Sequence, residues 1–253
     1  MTNEFCPGDR VLLIDNKQRS YLLTLKEDGK FHSHAGIIDH FDIIGKHEGV
    51  KLTTSKGYKV IAFRPTLEDI VYKMPRGAQV IYPKDIGKIL IAADIYPGAA
   101  VIESGVGSGA LSMAMLRCGA KIIGYEIRDD FATVAQNNVH NFLNTPYEYD
   151  VKIKDIYEGI DETNIDRIIL DLPEPHRVVI YAKVSLKKGG IFLSYLPTIN
   201  QVSILVEELK EYDFDDISVT ETLERSWYVT KRSVRPDHRM VAHTGFIIKS
   251  RNT

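Results

Sequence analysis

Gly105, Gly107 and Gly109 alternate within Glu103-Ser104-Gly105-Val106-Gly107-Ser108-Gly109-Ala110-Leu111. The residues before them, Ala99 to Glu103, read as a buried strand, and Gly109 to Cys118 as a helix. Glycine lets a backbone turn sharply and come close to a ligand. A helix opening at Gly109 aims free N–H groups at that ligand. The alternative is a tight strand-to-helix turn with no ligand, which three glycines at one junction disfavour. The acids then choose between ligands. A dinucleotide fingerprint reads GxGxxG and seats a pyrophosphate at the helix start. Here the spacing is GxGxG, and Glu103 stands in the loop mouth. A carboxylate there suits an amino group and a sulfonium and is unhelpful beside a pyrophosphate. Glu126, ending the next strand, fits the acceptor for two ribose hydroxyls, a role shared with nicotinamide enzymes. Asp155, closing a third strand, fits the acceptor for an adenine amino group. Together these residues point to S-adenosylmethionine as cofactor, S-adenosylhomocysteine as its product, and a methyltransferase.

Asp171 ends a fourth strand, in Asp171-Leu172-Pro173-Glu174-Pro175. In an open α/β sheet that position faces the ligand crevice. A carboxylate there can accept a hydrogen bond from a substrate amine or take its proton. Its other reading is a helix N-cap ahead of Pro173 and Pro175. Methyltransferases of exocyclic amines often carry Asp/Asn-Pro-Pro-aromatic here. Leu172 and Glu174 replace the first proline and the aromatic, which disfavours exocyclic nitrogen chemistry of the usual kind.

The elements that must hold these residues alternate from Gln79 onward. Helices are expected over Pro83 to Asp94, Asp129 to Leu143, Pro175 to Leu186 and Ile199 to Tyr212. Strands are expected over Lys121 to Ile127, Tyr149 to Asp155, Arg167 to Leu172 and Gly190 to Leu196. Apolar strand interiors imply helices on both sheet faces. Asp216 to Leu223 and Met240 to Lys249 lack a helix between them and are predicted to pair antiparallel, with Glu224 to Arg239 as the connection. The catalytic part, 79–253, is therefore a doubly wound, Rossmann-like α/β methyltransferase domain. Residues 1–65 form a small β-rich domain, with hairpins at Asp15-Asn16-Lys17 and Ser55-Lys56-Gly57. A linking helix is expected within 66–78, after the boundary that Pro65 suggests.

A formal net charge of −2 argues against broad, unspecific coating of nucleic acid but allows a local basic patch. Cys6 and Cys118 stand far apart in no metal-ligand spacing, so no metal is expected and two free thiols are. No apolar run approaches the roughly 20 residues that cross a bilayer. With no basic start and apolar stretch at the N-terminus, the cytoplasm is the expected compartment.

Five segments together resemble the archaeal form of the TrmI-type tRNA (adenine-N1)-methyltransferases. They are Arg76 to Asp85 (RGAQVIYPKD), the loop Glu103 to Leu111, Lys154 to Ile160 with Asp171-Leu172-Pro173, Tyr195 to Val202 (YLPTINQV), and Ala242-His243-Thr244-Gly245. The likeness spans nearly the whole chain. It implies methylation of N1 of a T-loop adenosine of tRNA, at position 58 and in archaeal members often also 57, by a homotetramer whose N-terminal domain helps grip tRNA. Carried onto this sequence, Gln79 and the glycine loop hold the methyl donor, with Glu126, Asp155 and Ile156 around its adenosine. Asp171 contacts the target adenine, with Tyr82 and Tyr195 near it. Either tyrosine could stack on the base once it leaves the tRNA fold; ordinary packing is the other reading of both. Trp227 to Arg239 sets Lys231, Arg232, Arg235 and Arg239 against one acid, Asp237, beside Trp227 and Tyr228. Such a mixture suits phosphate contact with stacking, or is simply a solvated basic loop. His243 is either an RNA contact or a satisfied core histidine. The alternatives in function are a methyltransferase of the same core acting on a small molecule or protein, and a non-catalytic tRNA-binding subunit. The latter would be expected to lose the glycine loop or Asp171, and this chain keeps both.

Overall fold

The computed structural model describes residues 4–77, 79–143 and 146–253. Two compact units divide the chain, Met1–Met74 and Pro75–Thr253.

The first unit holds a sheet built from β1 (Arg10–Asp15), β2 (Ser20–Thr24), β5 (Lys51–Thr53) and β6 (Lys59–Phe63) in the order β2-β1-β6-β5. Between β2 and β5 lies a hairpin of β3 (Lys30–Ser33) and β4 (Gly36–Asp39). It escapes sequence inspection because its strands are four residues long and interrupted by His32, His34 and Gly36. Phe5, Val11, Leu13, Leu25, Ile38, Ile43, Val60 and Ala62 form the core of this unit. The helix expected in the link is α1 (Leu67–Lys73), and it belongs to this unit. Thr66 and Asp69 cap it reciprocally, so a capping box sets its start. Ala78, at the end of the expected link, lies outside the described residues.

The second unit is a seven-stranded sheet. Its strands are β7 (Ala100–Ser104), β8 (Lys121–Glu126), β9 (Glu148–Ile153), β10 (Ile165–Leu170), β11 (Leu186–Leu196), β12 (Phe214–Glu221) and β15 (Phe246–Asn252). Their order is β12-β15-β11-β10-β7-β8-β9. All neighbours run parallel except β15, which is antiparallel to both β11 and β12. The helices are α2 (Pro83–Ala92), α3 (Ala110–Arg117), α4 (Asp129–Phe142), α5 (Val179–Ser185) and α6 (Ile199–Glu211). α5 is preceded by a 3-10 turn over Pro175–Val178, which accounts for the first part of the helix expected there. Interior positions of β7 and β10, such as Val101, Ile102, Ile168 and Ile169, are buried, as strands covered on both faces require.

Three readings differ most from expectation. β11 begins at Leu186 rather than Gly190. β15 begins at Phe246 rather than Met240, because residues 240–245 leave the sheet to make side-chain contacts described below. The connection 224–239 is not plain loop: β13 (Trp227–Thr230) and β14 (Ser233–Pro236) pair as a separate antiparallel hairpin.

The parallel register places the site. Ser104 pairs with Leu170 and Tyr125, and Leu170 pairs with Ser194. One residue further on, Gly105, Glu126, Asp171 and Tyr195 therefore stand at four adjacent C-terminal strand ends, where an open α/β sheet binds ligands.

Candidate active site

The glycine loop is shaped by the neighbours it must pass. Gly105 has φ +83°, and a Cβ there would fall on the backbone carbonyl of Asp171. The Asp171 N–H donates to the Ser104 carbonyl at 2.9 Å, so the two strand ends are laced together where the loop departs. Gly109 has φ +80° and opens α3, with the Ala135 backbone 3.2 Å from where its Cβ would stand. Asn138 of α4, itself buried, donates from Nδ2 to the Ser108 carbonyl at 2.9 Å and the Pro75 carbonyl at 3.0 Å. A side chain added to the loop would therefore meet backbone rather than flexible atoms.

Gln79, Val80, Ile81, Glu103, Ser104, Gly105, Val106, Gly107, Ser108, Ala110, Leu111 and Asp171 line one cleft over this loop. Val80 and Ile81 were not anticipated, since apolar residues before a helix read as ordinary packing. Gly109 supports the loop from beneath. Glu126, Asp155 and Ile156 are not in the lining. The Glu126 carboxylate accepts from the Arg128 N–H at 3.1 Å and from the Gly107 N–H at 3.4 Å. Asp155 accepts from the Tyr157 N–H at 2.9 Å and caps a 3-10 turn whose first residue, Ile156, is buried.

The electrostatics of the cleft are those of acids waiting for a cation. Glu103 is buried, and its carboxylate accepts from the Ser112 hydroxyl at 2.6 Å. Burial pushes its carboxyl up to about 8, Ser112 opposing and the Asp171 charge adding. The Tyr149 hydroxyl, 3.2 Å from that of Ser112, is held well above the phenol range by burial and then by Glu103. Asp171 is half-buried, and burial raises it to about 6. A ligand with an ammonium and a sulfonium fits this donor-poor pair of carboxyls, and the side-chain-free turn beside it gives that ligand room.

A pH dependence follows. Below about 8 the Glu103 carboxyl of the ligand-free protein holds a proton. A cationic ligand favours its ionised form, so binding then expels that proton and affinity falls with pH, by at most about tenfold per unit. Titration calorimetry of S-adenosylmethionine between about pH 6 and 9 is expected to show affinity rising up to pH ~8 and levelling above it. The Glu103→Gln profile subtracts the ligand's own titration and should lack this component.

Tyr82 caps the start of α2, its carbonyl accepting the Asp85 and Ile86 N–H groups, both at 2.9 Å, and is half-buried. Tyr195 is only 9% exposed. Its hydroxyl donates to buried Asp85 at 3.2 Å, and the ring lies against the Gly245 backbone. It is thus a packed residue rather than an exposed stacking platform, and neither tyrosine lines the cleft over the glycine loop. Burial lifts its hydroxyl well above the phenol range, with the Asp85 and Asp171 charges adding to this. Sequence reading did not pick out Asp85, Thr222 or Thr244 as site residues, since Tyr195, Thr222 and Thr244 each lie more than a hundred positions from Asp85.

The β13–β14 hairpin has two unlike faces. Trp227, Val229, Val234 and Pro236 share one, by register, and the first three are 58%, 68% and 68% exposed. Tyr228 and Arg235 share the other, the guanidinium 4.8 Å from the ring centroid. Lys231 and Arg232 form its exposed turn, and Arg239 is exposed beyond it. His243 is not a core histidine: it is exposed and bridges Glu221 and the Pro197 carbonyl, each at 2.9 Å, which together raise its pKa. Among the described residues no cluster of His, Cys, Asp and Glu could hold a metal ion, and no helix is long and apolar enough to cross a membrane.

Comparison with known proteins agrees with this geometry. Residues 58–248 match the model of a family described as tRNA methyltransferase complex GCD14 subunit, and residues 4–52 match a TrmI-like N-terminal model. The tRNA (adenine(57)-N(1)/adenine(58)-N(1))-methyltransferase TrmI of Methanocaldococcus jannaschii is 39% identical over 95% of this chain and 94% of its own. The crystal structure of a Thermotoga maritima protein, described as an S-adenosylmethionine-dependent O-methyltransferase, aligns with a TM-score of 0.95 at 36% identity, over 99% of this chain and 95% of that one. That of the tRNA (m1A58) methyltransferase TrmI of Aquifex aeolicus aligns with a TM-score of 0.86 at 28% identity, over 99% of both chains.

Proposed function

The chain belongs to the TrmI-type tRNA (adenine-N1)-methyltransferase family, and from that membership we propose that it methylates N1 of adenosine 58 in the T-loop of tRNA, with adenosine 57 a further target. The observation that carries this reading is the Asp171 carboxylate, set in the cleft lining directly beside the glycine loop. When bound, S-adenosylmethionine supplies an electrophilic methyl group on a sulfonium. Gln79, the loop from Ser104 to Ala110 and Glu103 hold its amino-acid end, Glu126 accepts from the ribose, and Asp155 and Ile156 flank its adenine. Adenine N1 has a free lone pair, so no residue has to remove a proton before transfer. Asp171 accepts from the exocyclic amine of the target, which aims N1 and stabilises the positive charge the base acquires. Tyr82 and the packed residue Tyr195 bound the space the extruded base enters.

The test is labelled-methyl transfer to unmodified tRNA, followed by nucleoside identification. 1-Methyladenosine is expected. A methylated guanosine or cytidine, or the ribose-methylated product an O-methyltransferase would leave, would overturn the reading.

We extend it to assembly and RNA contact. Lys231, Arg232, Arg235 and Arg239 contact phosphates, with Tyr228 beside Arg235 and Trp227 on the opposite hairpin face, and the N-terminal unit adds to the grip on tRNA, in the cytoplasm. The apolar hairpin face packs on another copy within a homotetramer, since an exposed patch of aromatic and β-branched residues fits protein better than phosphate. Val229→Asp is expected to lower the solution mass measured by light scattering, whereas Lys231→Ala should leave it unchanged.

A further inference from the structure

Lys84, Asp85, Thr222, Thr244 and Tyr195 come from four separate segments and meet around one carboxylate. Asp85 is 0% exposed, and the Lys84 side chain is 8% exposed. The Lys84 ammonium donates to both Asp85 oxygens at 2.9 and 3.0 Å, to the Thr222 carbonyl at 2.7 Å and to the Thr244 hydroxyl oxygen at 2.6 Å. The Thr244 hydroxyl donates to Asp85 Oδ2 at 2.6 Å, the Thr222 hydroxyl donates to Oδ1, and the Tyr195 hydroxyl donates to Oδ2 at 3.2 Å. A second fastening runs parallel to it, His243 joining Glu221 to the Pro197 carbonyl. None of the five lines the cleft over the glycine loop.

A buried ion pair is weak as a source of stability, because desolvation offsets most of the attraction. This pair has a further connection: among the five residues, Tyr195 alone stands at a strand end beside Asp171, since Leu170 pairs with Ser194 immediately before them. The Gly245 backbone presses the Tyr195 ring from one side, and the Asp85 carboxylate holds its hydroxyl. Ring position is therefore set by a group the substrate need not touch.

We infer that Asp85, held by Lys84, Thr222 and Thr244, is a positioning residue for methyl transfer, fixing the Tyr195 ring as the wall that orients the acceptor base against Asp171. This rests on the methyl-transfer reading above. It also gives the Lys84-Asp85 and Thr244-Gly245 segments, far apart in sequence, one shared task.

The test is kinetic, on the full-length protein with unmodified tRNA: kcat and KM for tRNA and the S-adenosylmethionine Kd, for the wild type, Tyr195→Phe, Asp85→Asn and the double variant. Tyr195→Phe keeps the ring and the ion pair and loses only the anchor. A misplacement far smaller than an ångström-scale shift, which can cost about 100-fold, is expected, so kcat should fall about tenfold. The cofactor Kd should stay within about twofold. Asp85→Asn should lower kcat at least as far, and the double variant should be no worse than the worse single one, because both remove the same constraint. If Asp85→Asn fails to fold, Thr244→Val, which leaves the ion pair in place, takes its position in the cycle. Wild-type kcat in Tyr195→Phe, losses that multiply in the double variant, or losses confined to cofactor affinity would each overturn the inference. A wild type that forms no 1-methyladenosine would overturn the reaction itself and this role with it.

Discussion

Replacing Asp171 with alanine is expected to lower kcat by roughly 100- to 1,000-fold while the S-adenosylmethionine Kd moves only a few-fold. The magnitude is that of removing one preorganised electrostatic partner from a water-poor site, about 3–4 kcal/mol of transition-state stabilisation. It is large because, in the proposed reaction, Asp171 has two effects at once, accepting from the exocyclic amine and facing the charge that appears on the ring. Asp171→Asn separates them: the amide oxygen still accepts, the charge is gone, and the loss should fall between wild type and alanine. The pH dependence follows from the same group. Burial holds Asp171 at about 6, so it is largely ionised at neutral pH. Protonation removes both the charge and an acceptor, so kcat should fall as pH drops through about 6 and level off above it. Single-turnover kinetics on tRNA separate this from the Glu103 proton, which acts on cofactor affinity and titrates nearer 8. Full activity in Asp171→Ala would remove the central step of the proposed chemistry.

Gly105→Ala is expected to abolish measurable S-adenosylmethionine binding, a loss above about 100-fold, and to lower Tm. Two costs add. The left-handed backbone of a residue with φ +83° costs an L side chain about 1–2 kcal/mol. The new methyl must also displace the Asp171 carbonyl, and that carbonyl is part of a strand end laced to Ser104. Relief can come only by moving the loop or Asp171, and both shape the cleft. Gly98→Ala isolates the first cost, since Gly98 has φ +86° with nothing within 4 Å of the added Cβ. Calorimetry should find ordinary cofactor affinity in Gly98→Ala and none in Gly105→Ala. Equal behaviour of the two would mean that backbone strain alone, and not the close approach to Asp171, makes glycine necessary.

The glycine-loop side of the candidate cleft was legible in the chain because its demands are local. A left-handed backbone at Gly105 and Gly109 favours glycine, and Glu103, Glu126 and Asp171 stand at or next to the ends of apolar strands, whereas Asp155 lies two residues beyond the largely polar β9. Alternation of strand and helix likewise predicted the doubly wound sheet, and a missing helix before the last strand predicted an antiparallel pair, which β12 and β15 form at one edge. Short, polar strands carried no such signal. The β3–β4 hairpin was invisible for that reason, and β13–β14 was read as a connection although Trp227 and Val229 alternate with Tyr228 and Thr230.

The cluster around Asp85 was decided by tertiary structure. The sequence by itself determined the glycine turn, the acids near strand ends and the alternating elements beneath them. Nothing in Tyr-Pro-Lys-Asp marks Asp85 as buried: an acid in the first helical turn is common on a solvated surface. Only the fold brings Thr222, Thr244 and Tyr195, which lie 137, 159 and 110 residues away, onto that carboxylate. It thereby makes Tyr195 a packed, hydrogen-bonded residue rather than an exposed stacking platform. The physical reason is range: backbone conformation and strand-end chemistry are written residue by residue, whereas the burial of a charge depends on partners that the chain brings together only on folding.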